Sequence, residues 1–165
     1  MQAPLSRDAH LEDYLYKSLK SFPLQGKRAA LLAPMHPWYE SILLSSGAES
    51  IDLLSAQIPP TESFDAIVLL CQLKSLAVAP HSNADLEMMS RLHFLLKKSG
   101  LLYLSIPVGK EKIVDNSYRV YGEKRMKELF RGWRPVGYFG YSYEDLLKDP
   151  EEIHEPIFVL RAGSL

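Results

Sequence analysis

The segment 64–71, Phe-Asp-Ala-Ile-Val-Leu-Leu-Cys, is apolar at every position except Asp65. A strand with apolar residues on both faces must be covered on both, which is typical of a parallel strand flanked by helices. Other apolar runs alternate along the chain with segments of helical periodicity. The predicted strands are 28–32, 50–54, 64–71, 101–106, 136–141 and 156–161, and the predicted helices are 7–20, 37–47, 83–97 and 123–131. This alternation predicts an α/β three-layer sandwich, with a mostly parallel sheet between two layers of helices.

Both ends of the chain fit this arrangement. Leu11, Leu15 and Leu19 recur at helical spacing, so the N-terminal segment 1–25 is predicted to supply a helix that packs on the sheet. The last two predicted strands are joined through an acidic segment, 144–155, without a full crossover, which predicts an antiparallel strand pair at the C-terminal end of the sheet. A chain of 165 residues is predicted to form a single domain, 1–165.

One connection is shorter than a parallel sheet requires. Only residues 55–63 separate the second predicted strand from the third, and two of them are proline. Parallel neighbours in a sheet need a crossover of about a dozen residues or more, usually a helix. Either the chain lacks one helix–strand unit at this point, or one of these strands runs in the opposite direction.

Composition excludes several classes of function. A net charge of −1 gives no reason to expect a nucleic-acid partner, and no apolar run is long enough for a membrane span. A single cysteine excludes an internal disulfide and fits a reducing, cytoplasmic location. No phosphate-binding or nucleophile-elbow motif occurs, and the histidines lack the paired spacing of metal ligands, so no metal site is predicted. The five histidines are His10, His36, His81, His93 and His154.

The corner that follows the first predicted strand is the expected ligand crevice of an open α/β sheet. Glycines at such a corner let the backbone approach a ligand closely, but here the residues are Ala33, Pro34, Met35 and His36. Proline removes a hydrogen-bond donor at this point. His36 is a candidate catalytic base, although it could equally cap the following helix or simply be solvated. His81, in a loop predicted to overhang the same crevice, is a second and weaker candidate.

The predicted loop 108–122 follows the carboxyl end of a central strand and carries the best polar constellation of the chain. In a functional interpretation, Asn116 and Arg119 orient a polar substrate, and Tyr121 lines one side of its binding site. In a structural interpretation, Arg119 pairs with a carboxylate and Tyr121 packs under the sheet. A third feature, the aromatic run 138–143 beside acidic residues, would suit a protein partner if it is exposed. It would otherwise belong to the core of a strand.

Three stretches of the chain resemble a known fold family. They are Pro37-Trp-Tyr-Glu-Ser-Ile-Leu-Leu-Ser-Ser-Gly-Ala48, Phe64-Asp-Ala-Ile67, and the run 85–122 with its segments Leu95-Leu-Lys-Lys-Ser-Gly-Leu-Leu102, Pro107-Val-Gly109 and Asn116-Ser-Tyr-Arg-Val-Tyr-Gly122. Over about 26–136 the chain resembles the Rossmann-like class I methyltransferases, which bind S-adenosylmethionine. It is more closely similar to an uncharacterised methyltransferase-like family known only as a domain of unknown function.

The resemblance implies that S-adenosylmethionine would lie in the crevice formed by Ala33, Pro34, Met35, Ser55 and Cys71. The chain departs from the family pattern at this site. Ala33 and Met35 stand where glycines are expected, and Ser55 stands where a carboxylate would bind the ribose hydroxyls. Asp52 is close in sequence but alternates to the other face of its strand. The missing helix–strand unit would also have lined the adenine side.

These departures predict a degenerate methyltransferase-fold protein that has lost normal cofactor binding. Such a protein would act as a non-catalytic subunit or interaction module, with a protein partner or a second copy of itself. The alternative is an active S-adenosylmethionine-dependent methyltransferase with an atypical pocket and an unknown polar substrate. A third hypothesis is a protein that binds a different small ligand in the same crevice.

Overall fold

Strands and helices alternate through the computed structural model, which describes residues 9–34, 36–54, 63–79, 82–149 and 154–163. The helices are α1 (Ala9–Ser21), α2 (His36–Ser45), α3 (Ala84–Leu95) and α4 (Glu123–Leu129). The strands are β1 (Arg28–Leu32), β2 (Ser50–Leu53), β3 (Phe64–Leu69), β4 (Leu96–Ser105), β5 (Lys112–Val114), β6 (Tyr118–Val120), β7 (Trp133–Phe139) and β8 (Ile157–Ala162). Two short 3-10 helices lie at Leu73–Ser75 and Tyr143–Leu147.

Six of the strands form one mixed sheet in the order β2-β1-β3-β4-β8-β7. The first four are mutually parallel, and β8 runs antiparallel to both β4 and β7. This arrangement confirms the predicted Rossmann-like α/β fold with an antiparallel C-terminal end. The carboxyl ends of β1, β2, β3 and β4 therefore lie at one edge of the sheet.

The sheet has an apolar core on each face, as the composition of its central strand requires. On one face, Ala66 and Val68 pack in a cluster with residues of α1 and α2. On the other face, Ile67 and Leu69 pack in a cluster with residues of α3 and α4. The alternation of β3 between two buried faces explains why its sequence is almost continuously apolar. Within the described ranges, no helix is long and apolar enough to cross a membrane.

The pairing of β2 and β3 with β1 shows which of the two explanations for their short connection is right. Both strands pair with β1 in parallel, through Ala29↔Ile51 on one side and Ala29↔Ala66 on the other. The alternative of a reversed strand is therefore wrong. The residues between the two strands, 54–63, are too few for a helix and a further strand, in agreement with the predicted loss of one unit. In the part of the sheet that is described, β2 is the edge strand.

Two local predictions are wrong. The helix predicted over 83–97 ends at Leu95, and the strand predicted to start at 101 starts at Leu96. The predicted loop 108–122 contains the antiparallel hairpin of β5 and β6. Its turn is made by Asp115 and Asn116, which have positive φ angles of 48° and 53°. Aspartate and asparagine tolerate this left-handed conformation better than other non-glycine residues, which allows the tight reversal.

Two glycines with positive φ give a test of how α1 is held against the sheet. Gly140 has φ +77°, and a Cβ atom there would lie 2.2 Å from the ring of Tyr14 on α1. Gly26 has φ +67°, and a Cβ atom there would meet nothing within 4 Å. Gly26→Ala should therefore cost only the left-handed conformation, about 1–2 kcal/mol. Gly140→Ala should cost more, because the Tyr14 ring must also move. Urea unfolding measures both, and equal losses would contradict this account.

Candidate functional site

The expected crevice lies where β1 and β3 end. Ala33, directly after β1, is fully buried, and Pro34 is partly buried. Cys71, just beyond β3, is half-buried and has a φ of +60°. Its backbone N–H donates a hydrogen bond of 2.9 Å to Oγ of Ser105, the last residue of β4. This bond fixes the turn after β3 against the end of the neighbouring strand.

An ion pair lies at the same edge of the sheet. Lys74, in the 3-10 helix after β3, donates to Oε2 of Glu155 at 2.8 Å, and the two side chains are 17% and 3% exposed. Glu155 reaches this edge because β8 is antiparallel to β4, so that Ile157 pairs with Ser105. Burial lowers the pKa of Lys74, but the attraction of Glu155 more than offsets it, so the pKa is raised. Sequence reasoning did not identify this pair, since its members are 81 positions apart.

The polar residues of the hairpin fall into two groups. Asn116 is exposed at the turn. Arg119 is only 8% exposed and donates from Nε to the Ala77 carbonyl at 3.1 Å and from Nη1 to Glu111 at 3.3 Å. Tyr121 is fully buried. Of Asn116, Arg119 and Tyr121, only Asn116 is exposed to solvent.

Tyr121 belongs to a buried polar cluster that sequence analysis missed. Its hydroxyl donates to Oδ2 of Asp85, a carboxylate with 0% exposure, at 3.1 Å. Arg125 of α4 donates to both carboxylate oxygens of Asp85 from Nε and Nη2. Burial, and then the charge of Asp85, raise the pKa of Tyr121, so its hydroxyl stays protonated and acts as a donor. This Asp85 cluster ties the start of α3 to α4 and to the end of the hairpin.

The one carboxylate of β2, Asp52, forms an ion pair with Arg28. Its Oδ2 accepts hydrogen bonds from Nη2 of Arg28 at 2.6 Å and from Nε at 3.0 Å. Arg28 is the first residue of β1, whereas Asp52 is the third of the four residues of β2 and lies opposite Ala30. The Asp52 carboxylate is therefore already occupied by the guanidinium of Arg28.

The remaining predicted residues are placed only in part. Met35, Ser55 and His81 lie outside the described residues, and only the backbone position of His36, at the start of α2, is described. The structure thus brings Ala33, Pro34 and Cys71 together at one sheet edge and places the Lys74–Glu155 pair at the same edge. Within the described ranges, no group of three or more His, Cys, Asp or Glu residues is arranged to hold a metal ion.

Solved structures with the same fold come from several proteins. One is the 1,6-didemethyltoxoflavin-N1-methyltransferase of Burkholderia thailandensis with 1,6-didemethyltoxoflavin and S-adenosylhomocysteine bound, which has a TM-score of 0.72 and 13% identity over 95% of this chain and 80% of that one. Another is the N-methyltransferase NodS of Bradyrhizobium japonicum with S-adenosylhomocysteine, with a TM-score of 0.62 and 13% identity over 98% and 89% of the two chains. A third is the [4+2]-cyclase SpnF, with a TM-score of 0.64 and 12% identity over 92% and 80%. The chain has the fold of the class I methyltransferases.

The sequence itself places the chain in a family. Residues 61–155 match the model of the family described as Caenorhabditis protein of unknown function, DUF268. The match covers more than half of the chain, and the chain belongs to this family. A comparison with curated proteins gives no match.

The Lys74–Glu155 pair should contribute strongly to stability. Glu155→Gln leaves the Lys74 ammonium largely buried without its counter-charge, which should lower the free energy of unfolding by about 3 kcal/mol. Asp149→Asn is the control, because the Lys110–Asp149 pair is exposed and should contribute less than about 1 kcal/mol. Urea unfolding at neutral pH compares them. Equal effects of the two substitutions would show that the buried pair has no special role.

The Asp85 cluster predicts a graded loss of stability. Tyr121→Phe keeps the ring and removes one donor to Asp85, which should cost about 1–2 kcal/mol. Arg125→Met leaves the buried carboxylate without a cation and should cost about 3–5 kcal/mol. Chemical unfolding of both variants measures the difference. A Tyr121→Phe loss as large as that of Arg125→Met would contradict the assignment of Arg125 as the main partner.

Proposed function

We propose that this chain is a methyltransferase-fold protein that has lost ordinary binding of S-adenosylmethionine and works in the cytoplasm as a non-catalytic subunit or interaction module. The observation that carries the proposal is the Arg28–Asp52 pair, in which the carboxylate of β2 already accepts two hydrogen bonds from a guanidinium. By the resemblance, Ser55 takes the position at which a ribose-binding carboxylate is expected. Charge-assisted hydrogen bonds contribute about 1.5–3 kcal/mol each. Loss of the ribose carboxylate alone would weaken the cofactor about tenfold to a hundredfold.

The turn after β1 supports the same conclusion. Pro34 has no backbone N–H to offer to a ligand, and the methyl group of Ala33 is packed in the core beneath the sheet edge. The corner thus lacks the glycines that would let the backbone approach the amino-acid part of the cofactor. The missing helix–strand unit removes further contact surface beside β2. Three independent losses at one pocket are expected when selection for cofactor binding has ceased.

The second candidate function is an S-adenosylmethionine-dependent methyltransferase with an atypical pocket. It is favoured by the likeness of the fold to two structures that contain S-adenosylhomocysteine. In this case Ala33, Pro34, Met35, Ser55 and Cys71 would line the cofactor. A polar substrate would then contact His36, His81 or Asn116, because the side chains of Arg119 and Tyr121 are buried within this chain. A different small ligand in the same crevice is the remaining alternative.

Thermal unfolding with S-adenosylmethionine and S-adenosylhomocysteine tests the proposal. We expect no change in Tm at 1 mM of either ligand. A ligand at a hundred times its Kd adds about 2.7 kcal/mol, which for a domain of this size raises Tm by roughly 5–10 °C. A rise of that size would overturn the proposal and support the methyltransferase.

The variant Ala33→Gly/Ser55→Asp tests the physical reason behind the expected result. It returns a glycine to the β1 corner and a carboxylate to the end of β2, and should gain measurable S-adenosylhomocysteine binding by calorimetry. Ser45→Asp, on the exposed side of α2, adds the same charge elsewhere and should gain none. A double variant that folds but binds no better than the wild type would show that other losses dominate.

A further inference from the structure

A groove lies at the opposite edge of the sheet from β2, between α4 and the edge strand β7. It has a volume of about 480 Å³ and is lined chiefly by aromatic and apolar side chains. Its position over β7 and β8 separates it from the crevice over β1 and β3. A volume of this size is typical of a site for a small organic molecule or for a long side chain of a partner. We call it the aromatic groove, after Phe130, Tyr138, Tyr141, Tyr143 and Phe158.

The rings of the aromatic groove are arranged as a corner. Tyr138 and Tyr141 stand at 86° to each other with their centroids 5.6 Å apart. Tyr141 in turn lies 5.0 Å from Phe158, which is buried and forms the floor. Tyr138 and Tyr143 are 61% and 59% exposed, so large aromatic surfaces face solvent. The exposed face of an aromatic ring attracts a cation, because the face carries partial negative charge.

A carboxylate also lies beside the corner formed by the rings. Glu123 lines the groove and accepts a hydrogen bond from the Tyr143 hydroxyl at 3.3 Å. The pKa of Tyr141 is raised, first by burial and then by Asp145, Tyr143 and Glu123, so negative charge is disfavoured there. Lys127, which also lines the groove, pairs with Glu123 at 2.7 Å, so a bound ammonium group would compete with it for this carboxylate.

We propose that the aromatic groove binds an alkylated ammonium group carried on an apolar chain. The charged head would lie against Tyr138 and Tyr141 near Glu123, and the apolar part would lie on Phe130 and Phe158. An alkylated ammonium suits this site better than a plain one, because it is weakly hydrated and does not depend on hydrogen-bond acceptors that the rings lack. A methylated lysine of a protein partner and a free quaternary amine share this chemistry. The proposal does not depend on whether the crevice binds S-adenosylmethionine.

The first experiment compares a cation with its neutral isostere. The full chain is titrated with phenyltrimethylammonium and with tert-butylbenzene, and binding is followed by two-dimensional NMR of the backbone amides. We expect saturable shifts at α4 and β7 for the cation, and binding at least about tenfold weaker for the neutral compound, as a cation–π contribution of about 1.4 kcal/mol implies. Equal binding of the two compounds, or binding of neither, would overturn the proposal.

Variants then locate the site. Glu123→Gln should weaken binding, and Lys127→Gln should tighten it, since the competing ammonium is removed; both residues are on the surface, so these variants should fold. Tyr138→Leu should weaken binding severalfold, whereas Tyr16→Leu, on α1 and similarly exposed at 51%, should not. Equal effects of Tyr138→Leu and Tyr16→Leu would contradict the assignment of the corner. So would loss of binding in Lys127→Gln.

A second arm separates the two sources of the ligand. A peptide with a trimethylated lysine and the same peptide with unmodified lysine are titrated in parallel with phenyltrimethylammonium. Preference for the trimethylated peptide supports a protein partner, and binding of the small amine alone supports a free ligand. A concentration-dependent dimer that is lost in Tyr138→Leu, without binding of any cation, would overturn the proposal in favour of self-association.

Discussion

The buried carboxylate of Asp85 is the constraint on which one half of the structure depends. A carboxylate with no exposure must be paired, because the cost of removing its charge from water is several kcal/mol. The guanidinium of Arg125 and the hydroxyl of Tyr121 meet this requirement. Arg125 belongs to α4, and Tyr121 follows the hairpin. Because both must contact the one buried carboxylate, they fix the positions of α4 and the hairpin relative to α3.

Three other carboxylates near the sheet also form ion pairs or hydrogen bonds with groups of the protein itself. Asp65 on β3 accepts hydrogen bonds from the Lys97 ammonium and from the backbone N–H of Arg28, and its pKa is lowered by these two contacts. Asp52 binds the side chain of Arg28, and Glu155 binds Lys74. Charges that could in principle face a ligand thus serve to join strands and helices.

Fold and function are separable in this family of structures. Proteins with a similar fold include two N-methyltransferases and a [4+2]-cyclase, at 12–13% identity to this chain. Such similarity establishes the path of the backbone but not the chemistry, which depends on particular side chains at the crevice. The aromatic groove is a second concave surface of this fold, and it lies at the opposite edge of the sheet from β2.

The amino-acid sequence by itself determined the elements and their layering. The periodicity of apolar residues is local, so β1 was predicted with its correct bounds, and the apolar content of β3 showed that both faces of the sheet are covered. The sequence did not reveal the hairpin of β5 and β6, because the turn of this hairpin depends on the left-handed conformations of Asp115 and Asn116 rather than on an apolar pattern. Only the tertiary structure decided the direction of β2, the pairing of Lys74 with Glu155 and the burial of Asp85 beside Arg125. The partners in these two pairs are 81 and 40 positions apart in the sequence. Attraction between distant charges leaves no periodic pattern in a sequence, so such pairs cannot be predicted from it.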